Sequence, residues 1–218
     1  MRKNILFFLT LITFFVFTTV SFCVAADIDT ILSNIEKKNS SVKDMQANYS
    51  QTVTYISTGE QTKSEGVFKH KKQDYVSLIQ VSPERQYVYI DGKTITTYVP
   101  SNRQAIVEKW KNVVENDVML TSVFKFSKNF KLLKKDYNIK LQDETEVVYS
   151  FLITPKDKKE NWSMLITINK STYLVTASSF DNGNFKVDIE INNYKTNNNF
   201  SNDIFKFVAP KNVDVIEL

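Results

Sequence analysis

Hydrophobic positions recur every three to four residues in one early stretch of this chain and every second residue through most of the remainder. Between Asp27 and Asn39, Ile28, Ile31, Leu32 and Ile35 fall at i, i+3, i+4 and i+7, one stripe of a helix, while Glu36, Lys37 and Lys38 face water. Asp27 or Asp29 can cap its start. From Val42 to Ser57 the period becomes two. Met45, Ala47, Tyr49, Gln51, Val53 and Tyr55 share one face, and Gln46, Asn48, Ser50, Thr52 and Thr54 share the other, the pattern of a long, half-exposed strand. Thr58-Gly59-Glu60 turns the chain into a second strand at 64–71, and a third at 75–81 runs towards Pro83. Within Tyr87–Pro100, Asp91-Gly92 stands between two runs of β-branched and aromatic residues. That is a strong hairpin signal with the Asp-Gly pair as its centre.

The alternation then breaks. Asn112–Phe126 carries Val113, Val114, Val118, Met119, Leu120, Val123 and Phe124 in a dense cluster flanked by lysines, and its spacing predicts a helix or two short ones. Strand periodicity resumes at Tyr137–Leu141, Val147–Pro155, Trp162–Ile168 and Tyr173–Phe180. Asn182-Gly183 turns a second hairpin into Phe185–Ile191, the Asn-rich stretch 192–202 reads as a loop, and a short strand closes the chain near Val213–Val215. The expectation is a mainly β fold of about 10–11 antiparallel strands with an N-terminal helix and a central helical insertion. A sheet that long curls, and with helices inside or over its mouth it makes an incomplete, open barrel.

Upstream of the helix, Arg2 and Lys3 precede an uncharged run from Ile5 to Val20 and a small-residue ending, Val24-Ala25-Ala26. This is the layout of a secretory signal peptide at 1–26, leaving 27–218 as a single domain destined for the periplasm. The same run could span a bilayer of about 30 Å as an anchor. Cys23 could carry a lipid, although Phe22 stands where lipoprotein signals place a small residue. The net charge of +4 includes Arg2 and Lys3, so the domain is nearly balanced and nucleic acid is not an expected partner. Cys23 is the only cysteine, so a structural disulfide is excluded.

Catalytic and metal-binding chemistry is scarce. His70, the only histidine, sits in the basic run Lys69-His70-Lys71-Lys72 and reads as a surface residue. With one histidine and no thiol in the domain, a conventional zinc site is excluded. Asp143, Glu144 and Glu146 lie around an expected turn and read as a solvated face, as do Lys125, Lys128, Lys131, Lys134 and Lys135, which could otherwise touch anionic head groups. Four glycines in the whole chain leave no phosphate-cradling loop. No enzyme, metal or cofactor is expected. Sixteen phenylalanines, ten tyrosines and two tryptophans are instead abundant, and they serve a filled β core or a lined cavity equally well.

The residues along these strands resemble the LolA family of periplasmic outer-membrane lipoprotein carriers. The resemblance rests on Ala47-x-Tyr49-x-Gln51-Thr52-Val53, Gly66 with Phe68, Pro83, Asp91-Gly92-Lys93-Thr94, Tyr98, Pro100 and Gln104. It continues through Trp110, Met119-Leu120, Tyr137-Asn138-Ile139-Lys140, Leu152-x-Thr154-Pro155-Lys156 and Phe205-x-Phe207-x-x-Pro210-x-x-Val213-x-Val215. It implies an incomplete β-barrel with a helical lid over an apolar cavity. The implied task is to accept acylated lipoproteins from an inner-membrane lipoprotein-releasing ABC transporter, shield their acyl chains, and pass them as a monomer to an outer-membrane acceptor. Val76, Leu78 and Val88 from the sheet and Met119, Leu120 and Phe124 from the lid are the implied lipid contacts. The family commonly places an Arg-Pro pair after the Gly66 strand and uses that Arg to tether the lid. Here the pair is Lys72-Gln73, which makes Lys72 the candidate latch, with a point charge in place of a fork. A periplasmic sensor or adaptor of lipids or lipoproteins on the same fold is the alternative.

Overall fold

The computed structural model describes residues 27–72, 75–109 and 130–218, with the backbone alone at 130–132. Helix α1 (Ile28–Ser40) forms where the apolar stripe is, and it buries Ile31, Leu32 and Ile35. Asp27 holds the N-cap position without a side-chain hydrogen bond, so the expected cap is absent. Asp29 in the first turn and Lys37 and Lys38 in the last match the sign of the helix dipole.

The strands are β1 (Asp44–Tyr55), β2 (Gln61–Lys71), β3 (Tyr75–Ser82), β4 (Gln86–Asp91), β5 (Thr94–Val99) and β6 (Gln104–Lys109). A short helix, α2 (Phe130–Asp136), then leads into β7 (Tyr137–Glu144), β8 (Val148–Pro155), β9 (Ser163–Asn169), β10 (Val175–Asp181), β11 (Phe185–Thr196) and β12 (Asp214–Glu217). They form one open, twelve-stranded sheet in the order β12-β6-β5-β4-β3-β2-β1-β11-β10-β9-β8-β7. All neighbours are antiparallel except β12, which runs parallel to β6. Long β1 lies at the centre and is paired almost end to end with both β2 and β11.

The count exceeds the expected ten or eleven because β6 carries no strand alternation in sequence. Ala105, Ile106 and Val107 are consecutive apolar residues, and only Ala105 is fully buried. The Asn-rich stretch is also only partly loop. β11 continues to Thr196, and Asn193, Asn197 and Asn199 hold left-handed backbone at φ of 55–59° that asparagine tolerates better than most residues. In both hairpins the Asx residue ends one strand side of the turn and the glycine is the first central residue. Asp91 Oδ1 accepts the amides of Lys93 and Thr94 at 2.9 and 2.8 Å, and Asn182 Oδ1 accepts those of Asn184 and Phe185 at 3.0 Å each. Gly92 and Gly183 supply φ of 85° and 82°. The central pairs are therefore Gly92-Lys93 and Gly183-Asn184, one residue later than the sequence suggests. Burial pushes the Asp91 carboxyl up, but the bonds from Thr94 and Lys93 outweigh it and hold the group below the usual range.

The core is one cluster on the concave face of the sheet. It runs from Phe151, Ile153, Met164, Ile166 and Ile168 through Ile189 and Ala47 to Phe68, Val76 and Ile90, with the stripe of α1 set into it. The convex face has its own cover over β3–β6. After β11 the chain crosses behind the sheet through a 3₁₀ turn (Asn202–Phe205), where Phe205 is fully buried against Tyr75 with ring centroids 5.8 Å apart. Phe207 lies against Tyr89 and Tyr98 at 5.9 and 5.4 Å, and β12 then joins β6. Buried Asp44 fastens this strap, its Oδ1 accepting the Asn198 amide at 2.6 Å and its Oδ2 that of Phe200 at 3.2 Å. Among the described residues no helix is long and apolar enough to cross a membrane.

Candidate functional site

Register places the inward residues of β3–β6 in three rows. The first holds Val76 opposite Ile90 and Ile90 opposite Ile95; the second holds Leu78, Val88, Thr97 and Ile106 in successive strands. The last row before the loops has Gln80 opposite Gln86, and Val99 opposite Gln104. Val76 and Ile90 are at most 1% exposed and belong to the packed core, whereas Leu78, Val88, Thr97 and Ile106 are half-buried. Val76, Leu78 and Val88 thus share the concave face, Val76 beneath and Leu78 directly across from Val88. Met119, Leu120 and Phe124 lie outside the described residues, as do Gln73 and the expected helix at 112–126. Ile106 and Val99 belong to the same strip, and Ile106 is hidden in the sequence because its strand is.

His70 corrects an expectation. It is 8% exposed, not a surface residue, because β2 alternates: register sets His70 opposite Met45 and Val76 on the concave side, while Lys69 and Lys71 face the strap. Lys71 Nζ donates to the Phe200 carbonyl at 2.8 Å and to Asn202 Oδ1 at 2.7 Å, and Lys69 stands 5.6 Å from the Phe200 ring centroid. Lys72, exposed, sends its ammonium to the carbonyl of Ser40, the last residue of α1, and its amide bonds the Lys43 carbonyl at 3.1 Å. The carboxylate of Asp29 pairs with Lys134, which ties the start of α1 to α2. Lys170 pairs with Glu144 at 2.5 Å, so this carboxylate of the expected turn is engaged at the end of β7.

Aromatic side chains line the concave face elsewhere. Tyr137, Trp162, Phe180 and Phe185 follow one another at centroid distances of 5.4, 5.7 and 6.0 Å along one end of the sheet. Tyr194 meets the edge of Phe68, donates to the Val175 carbonyl at 2.7 Å, and is pushed by burial well above the ordinary tyrosine range. Among the described residues no three His, Cys, Asp or Glu side chains are placed to share a metal ion. What the arrangement offers is an extended apolar surface with a helix laid on it, suited to holding hydrocarbon.

The family profile described as outer membrane lipoprotein carrier protein LolA matches residues 40–208. An outer-membrane lipoprotein carrier protein of Francisella tularensis is 30% identical over 189 residues, covering 85% of this chain and 87% of the relative. A protein of the same description from Pasteurella multocida is 24% identical over 184 residues, covering 84% and 85%. Among solved structures, a conserved protein of Thermus thermophilus shares the fold, with TM-score 0.58 and 12% identity over 88% of this chain and all of that one. Profile, relatives and the open sheet agree: the chain belongs to the LolA family of outer-membrane lipoprotein carrier proteins, which bind and carry and do not catalyse.

Proposed function

We propose that this protein collects acylated lipoproteins from an inner-membrane lipoprotein-releasing ABC transporter, shields their acyl chains across the periplasm, and delivers them to an outer-membrane acceptor. Residues 1–26 are its cleaved signal peptide and 27–218 a single carrier domain, working as a monomer. The observation that carries the reading is the continuous apolar cluster on one face of an open sheet, with α1 resting on it, in a chain of this family. Each buried methylene is worth about 0.8 kcal/mol, so exposed acyl chains cannot cross water unaided. Acyl chains lie along Leu78 and Val88 above Val76, with Met119, Leu120 and Phe124 contributing from the lid. Lys72 is the latch, since its bond to Ser40 is the kind of contact that holds a lid helix until cargo displaces it.

The test is release. The purified mature protein, added to inner-membrane vesicles loaded with a radiolabelled triacylated lipoprotein and supplied with ATP, should bring the lipoprotein into the soluble fraction as a one-to-one complex. Outer-membrane vesicles added next should take it up. No soluble complex at a tenfold excess of protein would overturn the reading.

A further inference from the structure

We propose that Gln86 and Gln104 form the head-group subsite of the carrier, hydrogen-bonding the carbonyls of an S-diacylglyceryl cysteine while its acyl chains run along Leu78, Val88 and Ile106. The proposal rests on the carrier reading above. Strand alternation puts apolar side chains at the inward positions of β3–β6, yet the final inward row holds Gln80, Gln86 and Gln104. Polar residues at positions that the pattern reserves for apolar ones mark function more often than folding. Gln80 is engaged, its side-chain amide bonding the Glu84 carbonyl at 2.9 Å. Gln86 and Gln104 are half-buried, and among the described residues neither side-chain amide bonds another group. One strand lies between them, so their backbones are roughly 10 Å apart.

The chemistry selects the ligand end. Ester carbonyls accept and never donate, and a glutamine NH₂ offers two donors without a charge to desolvate. The amide oxygen can also accept the N–H of the modified cysteine. At the far end of the strip, inward Glu108 stands opposite Ile95. When ionised a carboxylate only accepts, so Glu108 repels those same carbonyls, whereas the Glu84 carboxylate at the glutamine end is engaged by the Ser101 hydroxyl. From the glutamine row, one step of roughly 7 Å along the strands carries an acyl chain onto the half-buried Leu78 row, which the packed Val76 and Ile90 bound at its other side.

Binding of a synthetic dipalmitoylglyceryl-cysteinyl peptide, of phosphatidylglycerol and of diphenylhexatriene, which has no hydrogen-bonding group, decides the matter. Gln86→Leu and Gln104→Leu should each weaken the lipopeptide about fivefold, the worth of one hydrogen bond, and leave diphenylhexatriene unchanged. Gln86→Asn and Gln104→Asn keep the polarity but shorten the reach, and should lose affinity in the same order. A parallel loss for phosphatidylglycerol assigns the subsite to the ester carbonyls that both ligands share; loss for the lipopeptide alone assigns it to the cysteine amide. A double leucine variant that binds lipopeptide like the unaltered protein overturns the subsite and leaves the carrier standing, and so does loss confined to phosphatidylglycerol. An unaltered protein that binds none of the three overturns the carrier reading itself.

Discussion

Gly66 shows what one residue decides here. A Cβ built on it would sit 2.1 Å from the carbonyl oxygen of Ile79, at the irregularity where β2 and β3 shift register. Backbone cannot swing aside as a side chain can, so Gly66→Ala should cost about 2–3 kcal/mol and lower the melting temperature by about 5–10 °C. Tyr194 supplies a second test. Its folded hydroxyl titrates above the unfolded value near 10, so the stability it contributes is complete below pH 10 and declines as pH rises further, by up to about 1.4 kcal/mol per unit. Tyr194→Phe should remove that share of the alkaline slope in urea midpoints between pH 8 and 11, while losing about 1 kcal/mol at neutral pH with the bond to Val175. In sequence Gly66 is visible only as a motif letter, because its reason lies in a strand that approaches from thirteen residues on. His70 misleads for the opposite cause: its lysine neighbours suggest solvent, but alternation sends neighbours to opposite faces.

At the scale of elements, α1 is tied by Lys134 at its start and by Lys72 at its finish. Its middle is held by the apolar stripe. The expected consequence of Lys72→Met is local: the stripe keeps the helix docked, while amides at the end of α1 exchange about fivefold faster, the worth of about 1 kcal/mol. Lys72→Arg, with more donors in a rigid fork, should slow that exchange below the unaltered protein. Equal exchange in all three would remove Lys72 from the latch role. The helix and most strands are legible because each has one wet face and one dry face, which is what periodicity reports. β6 is not, since apolar residues stand on both of its faces, Ala105 and Val107 outward and Ile106 inward. The tail of β11 is not, because asparagines disfavour strands in general and here take the left-handed bends that lead into the strap.

Over the whole molecule, an open sheet presents two unlike faces. The concave one is a long apolar surface with α1 on it, and the convex one is clamped over β3–β6 by Phe205 and Phe207. Open-barrel architecture can be inferred from strand number, and the concave set from alternation, to within the one-residue slip that fixes which face is which. The glutamine row cannot be seen in the sequence, because it exists only once β4 and β6 are in register across β5.

The parallel pairing of β12 with β6 bears on how the chain is made. Asp214 must come back beside Gln104, so β6 keeps an unguarded edge until more than a hundred further residues have emerged. A chain delivered amino end first therefore shows an adhesive β ribbon throughout that interval, and the arrival of β12 is what makes the ribbon safe among its own copies.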